Sequence, residues 1–148
     1  MNPRILSLPL LLAVSACANV PLADRQQDAE AKRFDLPARD SGALYVYRPG
    51  YMGLARPIDV SIAGGVTAEL ASNTYMRLEG PPGPVDLSCR IGDQQGGQQL
   101  TLEPGQTRYV EVSMKVGLMM PGCSVTEVSP DQGQAAVRNA RRVNSRNQ

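Results

Sequence analysis

The chain has 148 residues, with 15 basic and 14 acidic side chains, no histidine, no tryptophan and a single phenylalanine. Near-balanced charge excludes the strong basic field that nucleic-acid binding requires. Without histidine, the Ser-His-Asp arrangement, histidine-dependent cysteine catalysis and the His-Glu-x-x-His zinc motif are excluded, and a core with so few aromatics must be largely aliphatic.

The first element is Met1-Asn2-Pro3-Arg4, followed by an apolar run from Ile5 to Val14 and the small pair Ser15-Ala16 before Cys17. This is the order of a charged n-region, an h-region and a cleavage zone. Ile5 to Val14 is far shorter than the roughly 20 residues that cross a bilayer core, so it reads as a transient signal. Val14-Ser15-Ala16-Cys17 resembles a lipobox, with Val14 where Leu is usual. Residues 1–16 are therefore expected to be a lipoprotein signal peptide, and Cys17 the lipid attachment site and mature N-terminus. Each buried acyl methylene contributes about 0.8 kcal/mol, so several chains on one thiol make a lasting membrane anchor. Ala18 and Asn19 follow, where an Asp would resemble an inner-membrane retention signal. The expected address is the cell envelope, at the outer membrane facing the periplasm. Cleavage removes Arg4 and leaves about 130 residues, one small domain.

Residues 17–41 are polar and rich in Ala, Gln and Asp, and they read as a lipidated tether; a short helix over 24–34 is the alternative. From Ala43 the pattern becomes short period-two runs broken by glycine and proline, the mark of an all-β fold. Strands are expected at 43–48, 57–63, 66–71, 74–79, 84–91, 98–102, 107–115 and 122–129, forming a small antiparallel β-sandwich over residues 42–130. Ala63-Gly64-Gly65-Val66 reads as a two-residue hairpin, Gly80-Pro81-Pro82-Gly83 and Glu103-Pro104-Gly105 as turns, and Gly96-Gly97 as a flexible loop. Cys89 alternates with Val85, Leu87 and Ile91, and Cys123 with Val125, so each lies on an apolar strand face. In an oxidising compartment this even pair favours a Cys89–Cys123 disulfide; two buried free thiols are the alternative. Residues 131–148 read as a basic C-terminal tail. A short helix over 134–142 would carry Arg138, Arg141 and Arg142 toward anionic lipid or peptidoglycan, or the segment is a solvated, frayed terminus.

The order Ala43-Leu-Tyr-Val-Tyr-Arg-Pro49, Val60-Ser-Ile-Ala-Gly-Gly65, Leu70-Ala-Ser-Asn-Thr-Tyr75, Leu78-Glu-Gly-Pro-Pro-Gly83 and Leu102-Glu-Pro-Gly-Gln-Thr-Arg-Tyr109 is similar to a bacterial lipoprotein family known as domain of unknown function 2846. The resemblance covers residues 40–130. It departs at Ser72-Asn73 and in the proline-rich Gly80 to Pro84. It implies a PEGA-like or transthyretin-like β-sandwich on a lipid tether, with no catalytic residues to carry over.

No Cys-x-x-Cys pair or phosphate-cradling glycine motif is present, so no cofactor or metal is expected. Asp59, Glu69, Asp86 and Glu111 fall at outward strand positions and read as solvated surface rather than a glycosidase pair. Met114, Met119 and Met120 are too sparse for a copper site and read as packing residues. The loop 49–57 places Tyr51, Met52 and Leu54 between turn formers, a candidate partner-binding loop or a cap on the sandwich. The function expected is a non-enzymatic module binding an envelope protein or cell-wall partner. The alternative is a carrier of a lipid or small apolar ligand, which requires an apolar cavity of several hundred cubic ångströms between the sheets.

Overall fold

Period-two apolar runs become strands where the computed structural model describes the chain, at residues 20–50, 56–63, 65–116 and 120–147. Among these residues the long strands are β1 (Gly42–Arg48), β2 (Ile58–Ile62), β3 (Val66–Leu70), β4 (Thr74–Gly80), β5 (Gly83–Ile91), β6 (Gln94–Leu102), β7 (Thr107–Lys115) and β8 (Gly122–Val128). Helices α1 (Arg25–Ala31) and α2 (Pro130–Arg138) and the two-residue strands β9 (Arg141–Arg142) and β10 (Arg146–Asn147) complete them. The strands form two five-stranded sheets, β8-β7-β1-β4-β9 and β10-β3-β2-β5-β6. The fold is the expected all-β sandwich, mainly antiparallel, with parallel pairing at β1–β7 and β4–β9.

Alternation sets the inter-sheet core. Leu44, Val46, Met76, Val110 and Val112 of the first sheet belong to one buried cluster with Ile58, Val60, Leu70, Leu87 and Leu100 of the second. Fully burying a side chain of this size contributes about 1.5–3 kcal/mol. Cys89 and Cys123 are bonded, with Cα atoms 6.2 Å apart, and join β5 to β8. Gly96 and Gly97, expected as a loop, instead belong to β6, paired with Cys89 and Ser88. The reason is steric: β8 passes so near that a Cβ on Gly96 would overlap the Cys123 carbonyl. The β2–β3 turn also differs from expectation, since Ile62 pairs with Val66 and leaves a three-residue loop.

Two terminal expectations are corrected. The tether does not extend to residue 41: Val20, Ala23 and Ala31 are buried, and Asp24 caps α1 by accepting from the Gln27 N–H. The C-terminal segment is neither frayed nor one helix through Arg142. Ser129 caps α2, with Pro130 in its first turn, and the chain then crosses from β9, beside β4, to β10, beside β3. Val137, Ala140 and Val143 are buried by this course, which offsets the entropy of ordering the tail. Leu22 bridges antiparallel to Val143, so the N-terminal segment lies on this clasp. The sandwich is thus closed by the disulfide on one side and by the segments 20–23 and 141–147 on the other.

The helices cover the outer face of the first sheet, which explains why β1 is buried along its whole length. Tyr45 stacks on Tyr109 with ring centroids 5.1 Å apart, and Phe34 approaches Tyr45 at 5.8 Å. Gly133 of α2 rests on the Tyr109 ring, where a Cβ would collide with it.

Candidate functional site

Three places among the described residues gather side chains that could act. Cys17 lies outside the described residues, as do Tyr51, Met52 and Leu54 and also Met119. Gly50 and Arg56, which lie within the 49–57 loop on either side of those three residues, are described. Arg48 at the end of β1 is buried and donates to the carbonyls of Arg56, at 2.6 Å, and Leu70, at 2.8 Å. Its guanidinium therefore ties the entry of β2 to the end of β3, and Met114 Sδ lies 3.8 Å away. Burial lowers the Arg48 pKa from its ordinary value. Met114 packs against the core, as expected of a filler. Because β1 and β7 run parallel, with Tyr47 opposite Glu111, the chain leaves Arg48 and Lys115 at the same end of the sandwich. Val116 and Met120, which follow β7, are 80% and 54% exposed there. One end of the domain thus gathers the exits to both apolar connections.

Sequence reasoning missed the second place, the junction built on Asp28. Its carboxylate accepts from the Tyr75 hydroxyl (2.9 Å), the Arg142 backbone N–H (2.9 Å) and Lys32 Nζ (2.9 Å). Lys32 also donates to the Ala140 carbonyl, and Tyr45 Oη donates to the Ala31 carbonyl at 2.7 Å. Burial pushes the Asp28 pKa up, but Lys32, the Arg142 N–H and Tyr75 outweigh it and hold the carboxyl below its ordinary value. Burial, then the hydrogen bond to Asp28 and its charge, push the Tyr75 phenol far up, so it remains a donor. The Asp28/Lys32 spacing gives the intrahelical ion pair; no sequence signal joins Asp28 to Tyr75 or Arg142. Arg138 and Arg142 do not share a helical face. Arg138 lies 5.2 Å from the Phe34 ring, while Arg142, in β9, donates to the Gln27 carbonyl.

The third place is the outer face of the second sheet. Asp59 sits opposite Glu69 in the β2–β3 register, and like charges so placed repel. Arg90 offsets this by pairing with Asp59 at 3.1 Å, and Arg146 lines the same shallow cleft of about 280 Å³. Beside it, a broader hollow of about 540 Å³ is lined by Ser61, Thr67, Asp86, Ser88 and Gln99. Asp86 accepts from Gln99, and Glu111, on the other sheet, accepts from the Tyr47 hydroxyl. The four outward carboxylates are thus spread over two sheets, and among the described residues no cluster of His, Cys, Asp or Glu is arranged to hold a metal. The clefts lie on outer faces, while the space between the sheets is filled by the buried aliphatic cluster.

Among proteins of known sequence, the chain is similar to one from Haemophilus influenzae described as an uncharacterized protein. The two are 27% identical over 133 residues, which cover 90% of this chain and 78% of the relative. No protein-family model and no solved structure matches.

Proposed function

We propose that the chain is an envelope lipoprotein, anchored through a lipid on Cys17 at the outer membrane and facing the periplasm, whose non-enzymatic β-sandwich binds a protein or cell-wall partner. The observation that carries this reading is the placement of Val14-Ser15-Ala16-Cys17 three residues ahead of Val20, the start of a packed, disulfide-bonded domain. A bridged pair of cysteines fits an exported chain, because thiols are kept reduced in the cytosol. The resemblance to the domain of unknown function 2846 lipoproteins points the same way.

Partner binding is assigned to the end of the sandwich at which parallel β1 and β7 finish, β1 leading into the 49–57 connection and β7 into exposed Val116. Exposed apolar side chains grouped at loops mark interaction sites. The carrier reading has less support, since a ligand between the sheets would have to displace Leu44, Val46, Val60 and Leu87, each 1% exposed or less. The test is a crosslinked pull-down from envelopes with the intact lipoprotein. Replacing Tyr51, Met52 and Leu54 by Ser should remove the captured partner; an unchanged set of partners refutes the assignment.

A further inference from the structure

An anchor at Cys17 has almost no slack. The expected 17–41 tether would give the domain an r.m.s. reach of about 27 Å. Val20, however, is already 7% exposed and part of the inter-sheet core cluster. Leu22 pairs with Val143, Ala23 donates to the Arg142 carbonyl, and Asn144 donates to the Pro21 carbonyl. Only Ala18 and Asn19 separate Cys17 from Val20, so the lipidated thiol is confined to about 10 Å from the domain wall even with the backbone fully extended.

That wall has a chemistry of its own. Pro21 and Leu22 are exposed on it, as are Arg141 and Arg146, and neither 18–23 nor 139–148 contains an acidic residue. On the adjoining sheet face, Asp59 is paired with Arg90, and Glu69 lines the cleft beside Arg146, which leaves Arg141 as the cation of this wall farthest from that face's carboxylates. Resting on the lipoprotein reading above, we propose that the edge formed by residues 20–23 and 141–147 is the membrane-facing surface of the domain, held by the anchor against anionic lipid headgroups. Cationic side chains beside a bilayer are attracted to its negative surface potential, and that attraction fades within a Debye length. Only a short anchor keeps Arg141 and Arg146 inside that range. The β6 strand, at the far side of the second sheet, then stands about 19 Å away by strand spacing.

The chain lacks tryptophan, so one introduced tryptophan reports its own surroundings. The exposed residues Ser145, on the clasp, and Gln99, on β6, are replaced singly in the intact lipidated protein, reconstituted in phosphatidylglycerol/phosphatidylethanolamine vesicles whose lipids are brominated near the headgroup. The expected result is loss of fluorescence for Ser145→Trp and none for Gln99→Trp. Inserting about 12 Gly/Ser residues between Ala18 and Asn19, with a reach of about 20 Å, should abolish the Ser145→Trp quenching. Equal quenching at both positions, or none at Ser145→Trp while Cys17 carries its lipid, overturns the proposed orientation and leaves the lipoprotein reading intact. Absence of lipid on Cys17 overturns that reading, and the orientation with it.

Discussion

Replacing Asp28 by alanine should loosen the N-terminal segment from the sandwich, with an effect that follows from its hydrogen bonds. Along β9 and the residue after it, the N–H groups of Arg141 and Val143 donate to the carbonyls of Asn73, just before β4, and Tyr75 within it, and the Arg142 N–H turns the other way to Asp28. Alanine leaves that N–H without its acceptor, at about 1–3 kcal/mol for a buried orphan. The Tyr75 hydroxyl keeps a longer bond of 3.3 Å to the Asp28 carbonyl. Losing the ion pair to Lys32 adds about 1 kcal/mol or less. The sum is about 1–4 kcal/mol for Asp28→Ala, whereas Asp28→Asn keeps an acceptor oxygen and should cost about 1 kcal/mol or less. Urea unfolding followed by circular dichroism measures both, and trypsin cleavage at Arg25, Lys32 and Arg33 reports the loosening locally. The wild-type advantage over Asp28→Asn should also depend on pH. The Asp28 pKa is depressed in the folded chain, so its contribution is complete above the unfolded value of about 3.9 and fades as pH falls through the folded one. If Asp28→Ala and Asp28→Asn unfold at the same urea concentration, the junction does not hold the segment as described.

Three further outcomes follow from the packing. Replacing both Cys89 and Cys123 by Ala should lower stability by about 3–4 kcal/mol, from the closure entropy of a loop spanning 34 residues; denaturant midpoints under oxidising conditions check it. Gly133→Ala should be destabilising by about 1–3 kcal/mol although alanine favours helix, because its Cβ collides with the Tyr109 ring; an unchanged melting temperature would contradict the close approach. Truncation after Asn139 removes β9, β10 and buried Val143 and should expose residues 20–34 to protease while the Cys89–Cys123 bridge still forms, as peptide mapping would show.

The sandwich strands are legible in the sequence because each buries one face, and alternation such as Ile58, Val60 and Ile62 then marks the core directly. Strand β6 was foreseen only from Gln98, since Gln94 to Gly97 carries no apolar alternation and is held by pairing with β5. Helix α1 was legible only as the alternative to a tether, the short helix over 24–34, because it docks through Ala31 and the polar Asp28 rather than an apolar stripe. Two signals were nonetheless present. The run Ala43-Leu44-Tyr45-Val46-Tyr47 is apolar on both strand faces, which requires a covering layer outside the first sheet, and Val137, Ala140 and Val143 recur through a tail otherwise rich in arginine. Of the candidate site residues, the cysteine pair was legible because both positions fell on inward faces. The Asp28 junction was not, because it unites residues from α1, β4 and β9.

The central claim, that Cys17 carries the lipid, is tested most directly by growth with an alkyne fatty acid followed by intact mass measurement of the chain. The expected result is a labelled protein whose N-terminus is Cys17, with no label on the Cys17→Ser variant. An unlabelled wild-type chain, or a label that persists in Cys17→Ser, would contradict it.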